Sequence, residues 1–318
     1  MLKTEVYDFI VIGAGGTGLA AAMYAARLGF KTLVWHSYGT ELPIGGVITT
    51  THIVENYPGF TGISGHELAK KIREHAMSYD LVSIKNEEAI SIKKIKEDFL
   101  VKTNKNEYCG KTVLFATGTK WKKLDGVNGS EEFENKGVSY CALCDAPIYK
   151  NKIAAVIGGS DSAAKDALLL AEHAKKVYII YRGEQIHPEP INYGRIKKSK
   201  KIEIINNTNL KEIFGDKTGV KGIILDKPYK NSRELNLDGV FVAIGHVVLS
   251  ELAKSIGVKL NLEGEIMINH KTSETNVPGI YAAGDVTDKP LKQLITGVAD
   301  GCTAAYSAYE YVEKNKIH

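Results

Sequence analysis

The chain has 318 residues, of which 44% are hydrophobic and 25% are charged, and its formal net charge is +4. This length predicts two domains of ordinary size, and the composition is typical of a globular protein. The lysine-rich runs contain no interleaved aromatic side chains, so we expect solvated faces and no nucleic-acid groove. Four cysteines are too few for a disulfide-stapled secreted scaffold, which favours a cytoplasmic protein.

The first pattern along the chain is a strand, a glycine-rich turn and a helix. The apolar run "YDFIVIG" leads through Gly13, Gly15 and Gly18 into a segment with helical periodicity, and a second apolar run follows at residues 31–35. In G-x-G-x-x-G the first glycine permits the tight turn and the second lets the backbone approach a pyrophosphate. The third lets helix and strand pack closely. We therefore predict a dinucleotide site at this helix N-terminus, and no membrane span, because the glycines would break one.

The pattern returns in "KIAAVIGGSDSAAKDALLLAEHAKKVYIIYR". Gly158, Ser160 and Ala163 occupy the three glycine positions of this second turn. Alanine is a common variant at the third position, but Ser160 puts a side chain where a pyrophosphate should approach the backbone. We expect a second dinucleotide-type domain whose ligand contacts are altered.

The segments around these two units predict the rest of the architecture. Ser64 and Glu67 form a capping box for a helix, residues 88–115 read as an antiparallel meander, and residues 296–314 read as a helix. The order of elements predicts an α/β fold with two Rossmann-like, three-layer ββα dinucleotide-binding domains, the second inserted into the first. The predicted boundaries are 1–118 and 247–318 for the first domain and 119–246 for the second, with the two linkers as a candidate hinge.

The stretch "VSYCALCDAPIY" places Cys141 and Cys144 two residues apart and directly before Asp145. A structural zinc site needs four ligands, and Cys109 and Cys302 have no paired companion, so no metal is predicted. Thiolates attack disulfides, and an adjacent carboxylic acid can supply the proton that a departing sulfur needs. The pattern therefore favours a working redox pair over a structural disulfide.

The first glycine turn, "GGVITTTHIVENYPGF", "ATG", "CALCD", "AIGH", "AAGDV" and "KQLITGVADGCTAA" follow one another in this order. In this arrangement the chain resembles the low-molecular-weight thioredoxin reductases, nearly from end to end. The resemblance implies a homodimeric FAD enzyme that passes electrons from a reduced nicotinamide, NADPH or NADH, through FAD and the cysteine pair. The implied acceptor is a thioredoxin or a glutaredoxin-like protein.

The resemblance also implies roles for individual residues. Cys144 would be the sulfur nearest the flavin, Cys141 the thiol that attacks the partner, and Asp145 the acid/base group. The implied FAD contacts are Gly13, Gly15, Gly18, His36, Gly46, Asn56, Thr117, Gly118, Gly284, Asp285, Lys292, Gln293 and Leu294. The implied nicotinamide-cofactor contacts are Gly158, Ser160, Asp161 and Arg182.

The sequence departs from the family at the strand after the second glycine turn. The family has a His-Arg-Arg run and a further arginine there, which clamp the 2′-phosphate of NADPH. Here the matching residues are Tyr181, Arg182, Gly183 and His187, so one arginine remains. An acid for the ribose 2′-hydroxyl of NADH is absent as well, because Tyr181 ends the strand. Another reduced donor, such as a deazaflavin or a ferredoxin, is therefore an alternative.

Two other functions stay open at the level of sequence. A dithiol oxidase would pass electrons from substrate thiols through FAD to oxygen, and the weakened clamp favours it because it needs no nicotinamide. A flavin redox sensor without turnover would not need an acid beside its cysteines, so Asp145 argues against it. The ferredoxin–NADP reductases have a similar architecture but lack the cysteine pair.

Overall fold

The computed structural model describes residues 6–36 and 42–316; the side chain of His36 falls outside this description. The chain divides into two compact units, Met1–Lys120 with Val248–His318, and Trp121–Val247. The first unit is therefore discontinuous, and the second is inserted into it. In the described part of the chain, no helix is long and apolar enough to cross a membrane.

The first unit contains a mixed sheet and the helices that cover it. Its elements, in chain order, are β1 (Val6–Ile12), α1 (Gly16–Arg27), β2 (Thr32–His36), α2 (Gly65–Met77), β3 (Val82–Ile95), β4 (Asp98–Thr103), β5 (Glu107–Phe115) and β6 (Thr119–Trp121). The parallel pairings run β3–β2, β2–β1, β1–β5 and, after the chain returns, β5–β16 (Ile280–Ala282). The far half of β3 pairs antiparallel with β4, and β4 pairs antiparallel with β5, which confirms the predicted meander.

The inserted unit repeats this plan. Its elements are β7 (Val138–Ser139), α3 (Ala142–Asp145), β8 (Ile153–Ile157), α4 (Asp161–His173), β9 (Lys176–Ile180), α5 (Pro190–Lys198), β10 (Ile202–Ile205), β11 (Leu210–Asp216), β12 (Gly219–Tyr229), β13 (Ser232–Asn236) and β14 (Gly239–Val242). A parallel sheet in the order β10-β9-β8-β14-β7 is accompanied by the antiparallel sheet β11-β12-β13.

After the insertion the chain completes the first unit. The remaining elements are α6 (Glu251–Ser255), β16 (Ile280–Ala282) and α7 (Leu294–Lys316). The short strands β6 and β15 (His246–Val248), where the chain passes from one unit to the other, form a separate two-stranded sheet. The helix predicted from the capping box is α2, where the Ser64 Oγ accepts a hydrogen bond of 3.1 Å from the Glu67 N–H.

The residues of β1 show why each parallel sheet is covered on both faces. Phe9 and Val11 pack with the alanine-rich helices α1 and α7, whereas Ile10 and Ile12 pack toward the meander, and all four are fully buried. Successive side chains of a strand point to opposite faces, so a continuous apolar strand needs two covering layers. The inserted unit has the same two cores, one under its helices and one under its meander. The predicted α/β class with three-layer ββα domains is therefore confirmed.

Asp166 is an acidic residue of α4 whose ionised form is disfavoured by burial. The residue as a whole is partly exposed, but burial of its carboxyl group raises the pKa from 3.8 to about 7. A raised carboxyl pKa means that the folded chain holds a proton which the unfolded chain releases. The contribution of Asp166 to stability is therefore complete below its unfolded pKa and is lost as the pH rises toward 7.

We expect Asp166→Asn, which cannot ionise, to raise the free energy of unfolding by about 2–4 kcal/mol at about pH 8 and to leave it unchanged at about pH 4. Denaturant unfolding of both proteins across this pH range measures the effect. Glu172→Gln, at an exposed position of the same helix, is the control. Equal pH dependence of the wild-type and Asp166→Asn proteins would contradict the expectation.

Candidate active site and cofactor cradle

The first glycine turn joins β1 to α1 with no room for side chains. Gly13 has a φ of +120°, and a Cβ on it would lie 2.2 Å from the Ala116 carbonyl oxygen. A Cβ on Gly18 would lie 1.9 Å from the Gly13 carbonyl oxygen. Such distances are far below van der Waals contact, so both positions require glycine for close packing of strand, turn and helix.

Two further glycines line the same turn. Gly15 is the N-cap of α1 and forms a bridge with Gly45, whose N–H donates a hydrogen bond of 2.8 Å to the Ala14 carbonyl. Gly45 and Gly46 have φ values of +116° and +72°, which favour glycine. The first turn of α1 carries no acidic side chain, so its N–H groups and positive dipole end suit a phosphate. Gly45 is not among the FAD contacts expected from the sequence, although it stands directly before the expected contact Gly46.

Residues from the far end of the chain meet this helix N-terminus. Gly284, with a φ of +76°, packs against Thr17 of α1, since a Cβ on it would lie 2.6 Å from the Thr17 Oγ1. Asp285 follows in a 3₁₀ turn at the end of β16. A Cβ on Gly16 would lie 2.4 Å from the Leu294 Cδ1, so the Leu294 side chain covers the start of α1.

The Asn56 amide completes this arrangement, which we call the glycine cradle: Gly13, Gly15, Gly18, Gly45 and Gly46 with Asn56, Asp285, Gln293 and Leu294. The Asn56 Nδ2 donates a hydrogen bond of 2.9 Å to the Gln293 Oε1. A surface without side chains at a helix N-terminus, flanked by amide and carboxylate groups, fits the pyrophosphate and polar groups of FAD. The individual FAD contacts stay predictions.

Lys292 has a structural task within the first unit. Its Nζ donates hydrogen bonds of 2.9 Å and 2.8 Å to the carbonyls of Asp285 and Thr287, and it lies 2.6 Å from the Glu265 Oε1. These three contacts match the three N–H donors of an ammonium group. Burial raises the pKa of Glu265, but its hydrogen bonds with Lys292 and Asn261 outweigh burial and lower the pKa overall. Lys292 therefore positions the Asp285 segment. Sequence reasoning missed Glu265.

We expect Lys292→Met to weaken FAD binding by about tenfold, because the Asp285 and Thr287 carbonyls lose a charged donor. Lys292→Arg, which keeps the charge, should lose less. Titration of the flavin-free protein with FAD, followed by flavin fluorescence, measures both. Lys71→Met, which removes an exposed i,i+4 ion pair with Glu67, is the control. Unchanged FAD affinity in Lys292→Met would rule out the positioning role.

Three other predicted FAD contacts lie near the strand ends. The Thr117 hydroxyl donates a hydrogen bond of 2.6 Å to the Leu249 carbonyl, and the Leu249 N–H donates one of 3.0 Å to the Gly118 carbonyl. These bonds tie the end of β5 to the returning chain, so the Thr117 hydroxyl is already used as a donor. His36 ends β2, and its predicted ribose contact concerns a side chain outside the described residues.

Cys141 and Cys144 form a disulfide at the start of α3, with their Cα atoms 5.3 Å apart. Cys141 is the N-cap residue, and its Sγ accepts a hydrogen bond of 3.2 Å from the Cys144 N–H. Cys144 is exposed, whereas Cys141 is partly buried. An N–H donor directed at a sulfur favours its thiolate form once the bond is reduced.

Asp145 follows the cysteine pair directly, and Tyr149 lies in the next turn of the chain. Burial, with smaller effects from the carboxylates of Asp145 and Asp238, raises the pKa of Tyr149 to about 12. Tyr149 therefore stays protonated, which leaves Asp145 as the acid/base candidate beside the disulfide. Burial raises the thiol pKa of both Cys109 and Cys302, which makes them poor nucleophiles. Within residues 6–36 and 42–316, no cluster of three side chains could hold a metal ion.

The second glycine turn has the same backbone as the first but different chemistry. Ser160 is the N-cap of α4 with φ −82° and ψ 180°, close to the −74° and 177° of Gly15. Asp161 occupies the first turn of α4, where its carboxylate accepts hydrogen bonds from the Glu189 N–H and the Asn192 Nδ2 and pairs with Lys165. Burial opposes ionisation, but these partners outweigh it and lower the pKa of Asp161. The Asp161 carboxylate therefore places a negative charge at the N-terminus of α4.

Taken together, the two units point to one class of protein. The first unit carries a glycine turn at a helix start that suits a dinucleotide, and the inserted unit carries a disulfide directly followed by an aspartate. A chain with both is a flavoprotein disulfide reductase with two dinucleotide-binding domains.

Comparisons with known proteins agree with this class. The family model described as pyridine nucleotide-disulphide oxidoreductase matches residues 7–301. Thioredoxin reductase from Bacillus subtilis (strain 168) is 38% identical over 99% of this chain and 97% of its own. The solved Lactococcus lactis thioredoxin reductase superimposes with a TM-score of 0.90 at 33% identity, over 97% of this chain and 99% of that one. For T. acidophilum thioredoxin reductase the TM-score is 0.89 at 37% identity, over 98% and 99%.

The chain belongs to the pyridine nucleotide-disulphide oxidoreductase family, and within it to the low-molecular-weight thioredoxin reductase group. The resemblance stated from the sequence is thereby confirmed. Membership implies FAD and a reduced nicotinamide as donor.

Proposed function

We propose that this chain reduces the disulfide of a thioredoxin, using bound FAD and the Cys141–Cys144 pair. The observation that carries the proposal is the disulfide at the start of α3, followed directly by Asp145, in a chain that also builds a glycine cradle. The thioredoxin reductases among the relatives support thioredoxin as the partner.

The glycine cradle supports FAD as the resident cofactor. Gly13, Gly15 and Gly46 would hold the pyrophosphate at the N-terminus of α1, and Asp285 and Gln293 would hold polar groups of the rest of the molecule. When bound, FAD supplies the electron pair that reduces the Cys141–Cys144 disulfide to a dithiol.

The exposure of the two cysteine residues leads us to propose a different role from the one that the resemblance implied. The resemblance gave the attack on the partner to Cys141, but Cys141 is partly buried and Cys144 is exposed. A protein disulfide must reach the attacking sulfur directly. We therefore assign the first attack to Cys144. Cys141, whose Sγ accepts the Cys144 N–H, is the thiolate that closes the internal disulfide.

The exchange then proceeds in two balanced steps. The Cys144 thiolate attacks one sulfur of the thioredoxin disulfide, which forms a mixed disulfide and expels the other thioredoxin sulfur. The Cys141 thiolate attacks the Cys144 Sγ, which restores the Cys141–Cys144 bond and expels the second thioredoxin sulfur. One disulfide is reduced and one is formed, and the two protons of the dithiol pass to the thioredoxin sulfurs. Asp145 would relay these protons, a role supported by its place beside the pair.

Three further proposals follow from the family. The resemblance supports a homodimer, and a dithiol that must stay reduced supports a cytoplasmic location. A glutaredoxin-like protein with an accessible disulfide is a second substrate for the same exchange.

The test asks whether the protein reduces thioredoxin when no nicotinamide donor is present. The FAD-loaded protein is reduced photochemically without nicotinamide and mixed anaerobically with oxidised thioredoxin. Thioredoxin thiols should appear in proportion to the protein, also in Cys109→Ser, but not in the double variant Cys141→Ser/Cys144→Ser. If thioredoxin stays oxidised while added oxygen consumes the electrons, the chain is a dithiol oxidase and the proposal is wrong.

A further inference from the structure

The Tyr181 ring occupies the space between two glycines at the end of β9. A Cβ built on Gly159, in the second glycine turn, would lie 2.5 Å from the Tyr181 Cδ2. A Cβ built on Gly183 would lie 2.6 Å from the Tyr181 Cε1. Neither glycine has a left-handed φ, so the backbone does not require glycine at either position. At both positions a side chain would collide with the Tyr181 ring as it is placed.

The segment after Tyr181 folds back over the turn and holds the ring there. The His187 N–H donates a hydrogen bond of 2.7 Å to the Gly159 carbonyl, and the His187 ring lies 5.5 Å from the Tyr181 ring. On the other side, the Thr208 N–H donates to the Tyr181 carbonyl and the Asn207 N–H to the Gly183 carbonyl, at 3.0 Å and 2.8 Å. The backbone on both sides of Tyr181 is therefore held by hydrogen bonds, and the Tyr181 ring packs beside that of His187.

This is the place where a dinucleotide-binding unit recognises its adenosine. In a βαβ unit the ribose of the adenosine lies beside the end of the second strand, where an acid binds the 2′-hydroxyl or an arginine binds the 2′-phosphate. Tyr181 stands at that strand end, and its ring fills the space over the glycine turn. The arginine that the family has in place of Gly183 would carry a Cβ 2.6 Å from the Tyr181 Cε1, so it fits only if the Tyr181 ring moves. The ring as placed and an arginine at position 183 therefore compete for the same space.

One charge at this turn also disfavours a phosphate. The carboxylate of Asp161 lies in the first turn of α4, whereas the exposed Arg182 is the one clamp arginine of the family that this chain keeps. We propose that Tyr181 is the specificity-determining residue that closes this turn to NADPH and NADH. The consequence of this inference for electron supply rests on the proposed function. The inference itself concerns nucleotide binding, which can be measured without turnover.

The test measures binding of NADP⁺ and NAD⁺ to the FAD-loaded protein by isothermal titration calorimetry. We expect no saturable binding to the wild-type protein up to about 1 mM of either nucleotide. Gly183→Arg alone should gain nothing, because the Tyr181 ring occupies the space of its side chain. The triple variant Tyr181→His/Gly183→Arg/His187→Arg should bind NADP⁺ at least about tenfold more tightly than the wild-type protein, because each guanidinium can form charge-assisted bonds to the 2′-phosphate.

A matched control separates shape from charge. Gln185→Arg adds a cation at an exposed position of the same segment and leaves Tyr181 in place, so it should not create a site. Micromolar binding of NADP⁺ or NAD⁺ by the wild-type protein would overturn the inference. Gain of binding in Gly183→Arg without change at Tyr181 would also overturn it, as would failure of a folded, FAD-retaining triple variant to gain affinity. None of these results depends on whether thioredoxin is the substrate.

Discussion

Cys141→Ser is expected to form a stable mixed disulfide with thioredoxin through Cys144, and Cys144→Ser is not. The exposed Cys144 sulfur can attack, whereas no thiolate at position 141 remains to release the product. Thioredoxin that lacks its second cysteine and carries a coloured thiol leaving group reports the attack by colour release. Cys144→Ser should react at least about tenfold more slowly than Cys141→Ser, and both should lose about a thousandfold or more of their turnover.

Non-reducing electrophoresis and mass spectrometry of the trapped species identify the bonded sulfur. Cys302→Ser, which alters a partly buried thiol of α7, serves as the control and should keep full turnover. Faster trapping by Cys144→Ser than by Cys141→Ser would restore the assignment that the resemblance implied, with Cys141 as the attacking thiol. The experiment thus separates the two sulfurs even though both are needed for turnover.

Gly18→Ala is expected to weaken FAD binding by about a hundredfold or more and to lower the free energy of unfolding by about 1–3 kcal/mol. The added Cβ would lie 1.9 Å from the Gly13 carbonyl oxygen, so the turn must open and α1 must move away from β1. Both movements displace the N–H groups that face the pyrophosphate. Flavin content after purification and FAD titration measure the loss.

Gly194→Ala is the matched control, because this glycine lies in α5 with nothing within 4 Å of its built Cβ. It should stabilise the protein slightly through the lower entropy of the unfolded chain. Retention of FAD at wild-type affinity in Gly18→Ala would show that the turn can relax at little cost, and the cradle would then need another explanation.

Local patterns made much of the fold predictable. The capping box at Ser64 and the alternation that predicts the meander of β3, β4 and β5 depend on residues close in sequence. The same holds for the first glycine turn, because strand, turn and helix follow one another within one segment. Resemblance supplied the remaining site residues, since their neighbours in space are distant in sequence.

The parts that sequence reasoning missed are long-range contacts. Glu265 and Lys292 form an ion pair although a segment that contains β16 separates them in the sequence. No local sequence pattern predicts this pair. The departure of Tyr181 from the family is visible in the sequence, but the ring's contacts with Gly159 and Gly183 become visible only when the turn and the strand end are brought together. Exposure likewise separates Cys144 from Cys141, which the spacing of the two cysteines does not.

A ribosome makes β1, α1 and their glycine turn long before it makes the Asp285 turn and α7. Domains generally fold as units during synthesis, so the inserted unit can acquire its structure while the surrounding one is still missing β16 and its last helix. With the cradle that we propose, the nascent polypeptide lacks the flavin contacts of Asp285, Gln293 and Leu294 until this last segment has been made. Chains truncated before Asp285 should therefore purify without the colour of bound flavin, even when the inserted unit has folded.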